Sequence, residues 1–120
     1  MQAMNTKKYD LEDRMAKFAM NCRNFIMKIQ RNVVNIEYSK QLARSSGSQA
    51  ANYIEANECL GKKDFIMRIK ICRKEAKESR LWLNLCVLNE DDKLEESRSA
   101  LIQELIEFLK IFGAILEKSK

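Results

Sequence analysis

Apolar side chains recur at steps of three and four along nearly the whole chain, with no sustained period-two alternation of the kind a half-buried strand shows. This spacing predicts four helices. The first, about residues 10–30, is expected to start after Asp10, whose carboxylate can accept hydrogen bonds from the free N–H groups of a first turn. Glu12 and Asp13 favour the positive end of the helix dipole there. Its stripe is Leu11, Met15, Phe18, Cys22, Phe25 and Ile29, and the polar start "MQAMNTKKYD" is expected to fray up to Tyr9. "QRNVVNIE" breaks the stripe, with Asn32 or Asn35 as stop and new cap.

The second helix, about residues 36–58, carries Leu42, Ser46, Ala50, Tyr53 and Asn57 along one side, and Gly61 is the expected stop and turn after it. The third, about residues 62–88, shows Phe65, Ile69, Cys72, Ala76, Ser79 and Leu83 in the same rhythm. "NEDD" closes it and opens the fourth, about residues 92–118, with Leu94, Leu101, Leu105, Phe108, Phe112 and Ile115 as its seam. Four helices of similar length with short connections predict a single all-α domain over residues 1–120, an antiparallel up-down-up-down four-helix bundle.

The apolar arc of the fourth helix is wider than one bundle needs. It covers about 220°, against somewhat over 100° for a helix facing only its own core. Ile102, Leu109 and Leu116 form a second stripe beside the seam, and "LWLNLCVL", with Trp82 and Leu85, is apolar on nearly every side. Surplus apolar surface of this extent predicts a subunit interface and a homo-oligomer.

Composition changes this picture in two places. There is no histidine, and the cysteines at 22, 59, 72 and 86 include no closely spaced pair, so zinc ligation is not expected and reduced thiols in a cytoplasmic setting are. No apolar run approaches a membrane span, and no cofactor is indicated. The net charge of +5 is unevenly spread: residues 1–89 hold 17 basic and 9 acidic side chains, residues 90–120 hold 5 and 8. The basic body suits polyanions or ordinary charge complementarity between helices.

Three groups of residues bear on chemistry. "RSSGSQAANYIEANE" has the polarity of a loop, but a nucleophilic serine needs a base, and neither histidine nor an S-x-x-K spacing supplies one here. Ser46, Gly47, Ala50 and Ala51 are instead expected to let a neighbouring helix approach closely. The pairs Glu55-x-x-Glu58 and Glu75-x-x-Glu78 could suggest a metal-dependent nucleotide hydrolase. A turn near Gly61 makes residues whose numbers sum to about 121 face each other, which sets the two pairs roughly 15 Å or more apart at the helical rise. The same register puts Arg44 within reach of Glu75 and Glu78 as a structural ion pair. The third group is more suggestive: Lys62, Lys63, Lys70, Arg73, Lys74, Lys77 and Arg80 fall within about 120° of the third helix, a row able to span several phosphates without reading sequence.

"YDLEDRMAKFA", "ARSSGSQAANYIEANE" and "KKDFIMRIKICRKEAKESRLWL" together resemble the four-helix-bundle family of 23S ribosomal RNA intervening-sequence proteins, over about residues 9–88. The resemblance implies a bacterial bundle that assembles as a homopentamer and carries no catalytic activity. It also implies kinship with the accessory protein of diversity-generating retroelements, which associates with a reverse transcriptase and with nucleic acid. The expected partners are therefore a second copy of the chain and RNA or DNA, or a nucleic-acid enzyme. A pure protein–protein assembly module is the blander alternative.

Overall fold

The computed structural model describes the backbone of residues 2–120 and side chains from Asp10 onward. Four helices follow in order: α1 (Gln2–Lys28), α2 (Val33–Glu58), α3 (Lys62–Leu85) and α4 (Asp92–Lys118). They pack as an elongated antiparallel bundle 46 Å long, in keeping with helices of 24–27 residues at about 1.5 Å per residue. Among the described residues each helix touches its two neighbours in the ring α1–α2–α3–α4, most extensively along the α2–α3 seam and least along the α1–α4 seam.

The core is the one the spacing implies. Met15, Phe18, Cys22 and Phe25 of α1 meet Leu42, Ala50, Tyr53 and Ala56 of α2, Ile69, Cys72, Ala76 and Leu83 of α3, and Leu101, Leu105, Phe108 and Phe112 of α4. Phe18 meets Phe108 edge-on at 5.6 Å between ring centroids, a geometry that sets the positive ring edge against the negative face.

The helix ends differ from the expectations in instructive ways. α1 runs through Asp10 rather than starting there, so that carboxylate does not cap it; the expectation that the chain frays up to Tyr9 lies, for its side chains, outside the described residues. Asn32 is the N-cap of α2, its side-chain oxygen accepting from the Asn35 N–H at 2.9 Å. Gly61 does not end α2 in a left-handed conformation. The helix stops at Glu58 with Cys59 as C-cap, and Gly61, at φ −112° and ψ 149°, is the N-cap of α3. α3 ends at Leu85, three residues early, because the chain turns inward to bury Cys86 and Leu88. Asp91 caps α4 by accepting from the Leu94 N–H.

The close approach expected at Gly47 is also absent. Gly47 and Ala51 face outward, and a β-carbon built on Gly47 would meet nothing within 4 Å. The tight side of α2 is instead formed by Ser45, Ser46, Gln49 and Ala50. The Ser45 and Ser79 hydroxyls hydrogen-bond each other at 2.7 Å across the α2–α3 seam, so two buried polar groups satisfy one another where the helices are nearest.

Candidate nucleic-acid interface

The third helix turns its inner face to the core through Ile69, Cys72, Ala76, Ser79 and Leu83, which fixes where its cations must point. Lys62, Lys63, Lys70, Lys74, Lys77 and Arg80 are exposed and Arg73 is half-exposed. Among the described residues none of the seven forms a salt bridge within the chain, whereas Arg14, Lys40, Arg44, Arg98, Lys110 and Lys120 each do. From Lys62 to Arg80 the row is about 27 Å long at the helical rise, comparable to some eight base pairs of duplex at 3.4 Å each. Met67, Leu81 and Leu85 are exposed beside it, so the face is basic with an apolar margin.

The acidic residues of α3 lie on its other flank, against α2. Arg44 donates to Glu75 at 3.1 Å and to Glu78 at 2.9 Å. Glu75 is buried, and burial pushes its carboxyl up. The hydrogen bonds from Arg44 and Ser48 and the charges of Arg44 and Lys74 outweigh that, holding it below the ordinary carboxylate value. Glu55 and Glu58, the other acidic pair, are exposed on α2 and stand apart from this cluster. Among the described residues no three acidic, cysteine or histidine side chains converge as a metal site would require.

The residues expected at a subunit interface are dispersed. Trp82 turns toward α2, where it stacks on Tyr38 at 6.1 Å with an interplanar angle of 27°. Ile102, Leu109 and Leu116 are half-buried and pack against the chain's own core, so the wide apolar arc of α4 is largely absorbed between α3 and α1. Leu85 is exposed, and the other large exposed apolar side chains include Met20 and Met27 on α1, Ile54 on α2, and Met67 and Leu81 on α3. Among the described residues no large apolar side chain of α4 belongs to that exposed group.

The class is thus a small all-α bundle whose unspent charge lies on an outer helix face. A solved structure from Bacteroides thetaiotaomicron VPI-5482, a protein of unknown function from the S23 ribosomal protein family, is similar with a TM-score of 0.73 and 30% sequence identity, over 88% of this chain and 96% of that one. The chain belongs to the S23 ribosomal protein family. No family model and no curated protein matches it. No helix among the described residues is long and apolar enough to cross a membrane.

Proposed function

We propose that this protein is a non-catalytic, cytoplasmic homo-oligomer, a pentamer, that binds nucleic acid without sequence preference through the basic face of α3. The observation that carries the reading is the row of seven cations, directed outward and without an ion pair among the described residues. Cations left free of internal partners lose no salt bridge on meeting phosphate, and each displaces a condensed counterion when it does so. Five copies of the row in a ring would multiply a weak contact into useful avidity. The ribosomal name of the family favours RNA among the polyanions. The hydrogen bond from Arg44 to Glu75 favours a structural ion pair over the acidic pair of a hydrolase.

Binding of a labelled 20-nucleotide RNA, followed by fluorescence anisotropy, tests this. If about six cations contact phosphate, affinity for the single strand should fall by about 300-fold between 50 and 200 mM salt. The variant carrying Lys70→Glu, Arg73→Glu, Lys74→Glu and Lys77→Glu should lose binding while sedimenting as the same oligomer. Absence of binding at 50 mM salt by an intact oligomer, or binding untouched by the four substitutions, would sink the proposal. A monomeric mass in sedimentation would remove its assembly part.

A further inference from the structure

The seam between α1 and α4 holds a groove of about 620 Å³ that the basic α3 face does not touch. Its α1 wall is Lys17, Asn21, Asn24 and Lys28, spaced four, three and four apart and therefore along one flank of the helix. All four are exposed, and among the described residues none of their side chains forms a hydrogen bond or ion pair within the chain. The α4 wall opposite is small: Ser97 and Ala100 stand where larger side chains would close the seam. Phe18, Phe25 and Leu101 contribute an apolar floor.

One end of the groove is latched. Arg14 donates two hydrogen bonds to Glu104, at 2.8 and 2.7 Å, and its guanidinium lies 5.2 Å from the centroid of the Phe108 ring. This bidentate pair ties α1 to α4 and neutralises both of its own charges. The net charge left in the groove is that of Lys17 and Lys28, roughly 16 Å apart along the helix. A volume of this size suits a ligand of drug-like dimensions. Two lysines call for anionic groups. Two carboxamides between them, each with donors and an acceptor, match a planar partner that presents both.

We propose that the α1–α4 groove binds a nucleotide unit, a phosphorylated nucleoside that is either free or part of a short single strand. One of Lys17 and Lys28 receives the phosphate of a free nucleotide, and a strand with phosphates on both sides of the base engages both; Asn21 and Asn24 hydrogen-bond the base edge, and the apolar floor takes the ring face. The positive lining disfavours the chain's own basic α3 face as an occupant. The site does not depend on the α3 reading, because it uses none of the α3 cations.

Isothermal titration calorimetry of the full-length protein with the four nucleoside 5′-monophosphates, a tetranucleotide and inorganic phosphate tests the site. The expected result is saturable binding of at least one nucleotide or of the tetranucleotide, tighter than phosphate. Heat from the monophosphates identifies the free form as sufficient; heat from the tetranucleotide alone identifies the strand. The double variant Lys17→Glu, Lys28→Glu should weaken binding by about tenfold or more, equivalent to about 1.4 kcal/mol. Ala100→Phe, which fills the groove and keeps every cation, should do the same, and circular dichroism should show both variants helical. The four-glutamate α3 variant should leave this binding intact, so the two sites can fail separately. The proposal is overturned by no saturable heat, by phosphate binding as tightly as nucleotide, or by Ala100→Phe leaving binding unchanged.

Discussion

Asn35 and Val87 hold each other by two hydrogen bonds: the Asn35 carboxamide donates to the Val87 carbonyl at 2.9 Å and accepts from the Val87 N–H at 2.8 Å. The same amide also donates to the Gln30 carbonyl at 2.9 Å. Asn35 is buried at the start of α2, and its three bonds satisfy backbone groups released where α1 and α3 end. Asn89 adds a hydrogen bond to the Gln30 side chain beside it. One side chain thus joins both connections at this end of the bundle.

Replacing Asn35 should therefore cost more than a typical polar substitution. Asn35→Ala leaves the Val87 N–H and two carbonyls without their partner, a loss of about 3 kcal/mol if each bond is worth about 1 kcal/mol net. Asn35→Asp keeps the acceptor but loses both donated bonds and buries a charge, so it should not restore stability. Urea denaturation of the three proteins, compared at equal m-value, measures both effects.

Gln49 is the opposite case. It is fully buried, its backbone carbonyl accepts from the Cys72 thiol, and neither polar atom of its own carboxamide has a partner among the described residues. A buried unpaired amide is unfavourable, and an apolar side chain of similar volume removes the cost. Gln49→Leu should raise stability by about 1–2 kcal/mol, read as a Tm increase of several degrees. A Tm decrease would show that the amide has a partner within the protein.

These two residues mark where sequence reasoning stops. The apolar stripe of α1 was legible because Met15, Phe18, Cys22 and Phe25 need only the helical period and the hydrophobic effect to be placed inward. Ser79 falls on the α3 stripe by period alone, but Asn35, Ser45 and Gln49 are just as buried with nothing local to distinguish them from solvated polar residues. Their burial depends on partners or packing supplied by another helix, which periodicity does not report. Gly47 failed for a related reason: a small residue permits close approach, but only the rotation of α2 decides whether a neighbour takes it up. On α3 the outward direction of the cations follows from the inward direction of Ile69 and Ala76. The α1–α4 groove was not legible, since it arises from Ser97 and Ala100 meeting Asn21 and Asn24 across a seam between the chain's first and last helices.

The thiols should divide by burial. Burial pushes Cys22 and Cys72 up to about 12, against a weaker opposing hydrogen bond in each case, and raises Cys86 as well. Cys59, just past the end of α2, is half-buried. At pH 8 a disulfide reagent should modify Cys59 first, with the other three reacting only as the bundle opens. Cys59→Ser should abolish the fast phase.

Two consecutive residues of the α3–α4 connection, Asn89 at φ 53° and Glu90 at φ 62°, occupy the left-handed region. Asparagine tolerates it; glutamate has no such preference, and left-handed backbone costs a β-carbon-bearing residue about 1–2 kcal/mol. Glu90 is exposed, so its side chain gives little back. Part of the relief from glycine is returned as unfolded-state entropy, leaving an expected gain of about 0.5–1 kcal/mol for Glu90→Gly in thermal unfolding. Asn89→Gly should gain less, because it forfeits the bond to Gln30.

The Arg44–Glu75 pair makes stability depend on acid in a defined direction. Glu75 has its folded value held below the ordinary 4.5, so its contribution is fully present above about pH 4.5 and is lost as pH falls through the folded value. Arg44→Met keeps much of the aliphatic stem and removes the donor, leaving a buried carboxylate without its guanidinium. Loss of a fully buried partner costs about 3–5 kcal/mol, but the Arg44 side chain is 50% exposed and water screens it, so about 1–2 kcal/mol is expected at pH 7. Below the folded value both proteins carry a neutral Glu75, and their stabilities should converge. Chemical denaturation of the two proteins from pH 7 to pH 3 measures this: the difference should start to shrink as Glu75 of the variant, no longer held down by Arg44, takes up its proton, and should vanish once Glu75 of the parent is protonated as well. A difference that stays constant across the range would assign the effect of Arg44 to packing rather than to charge.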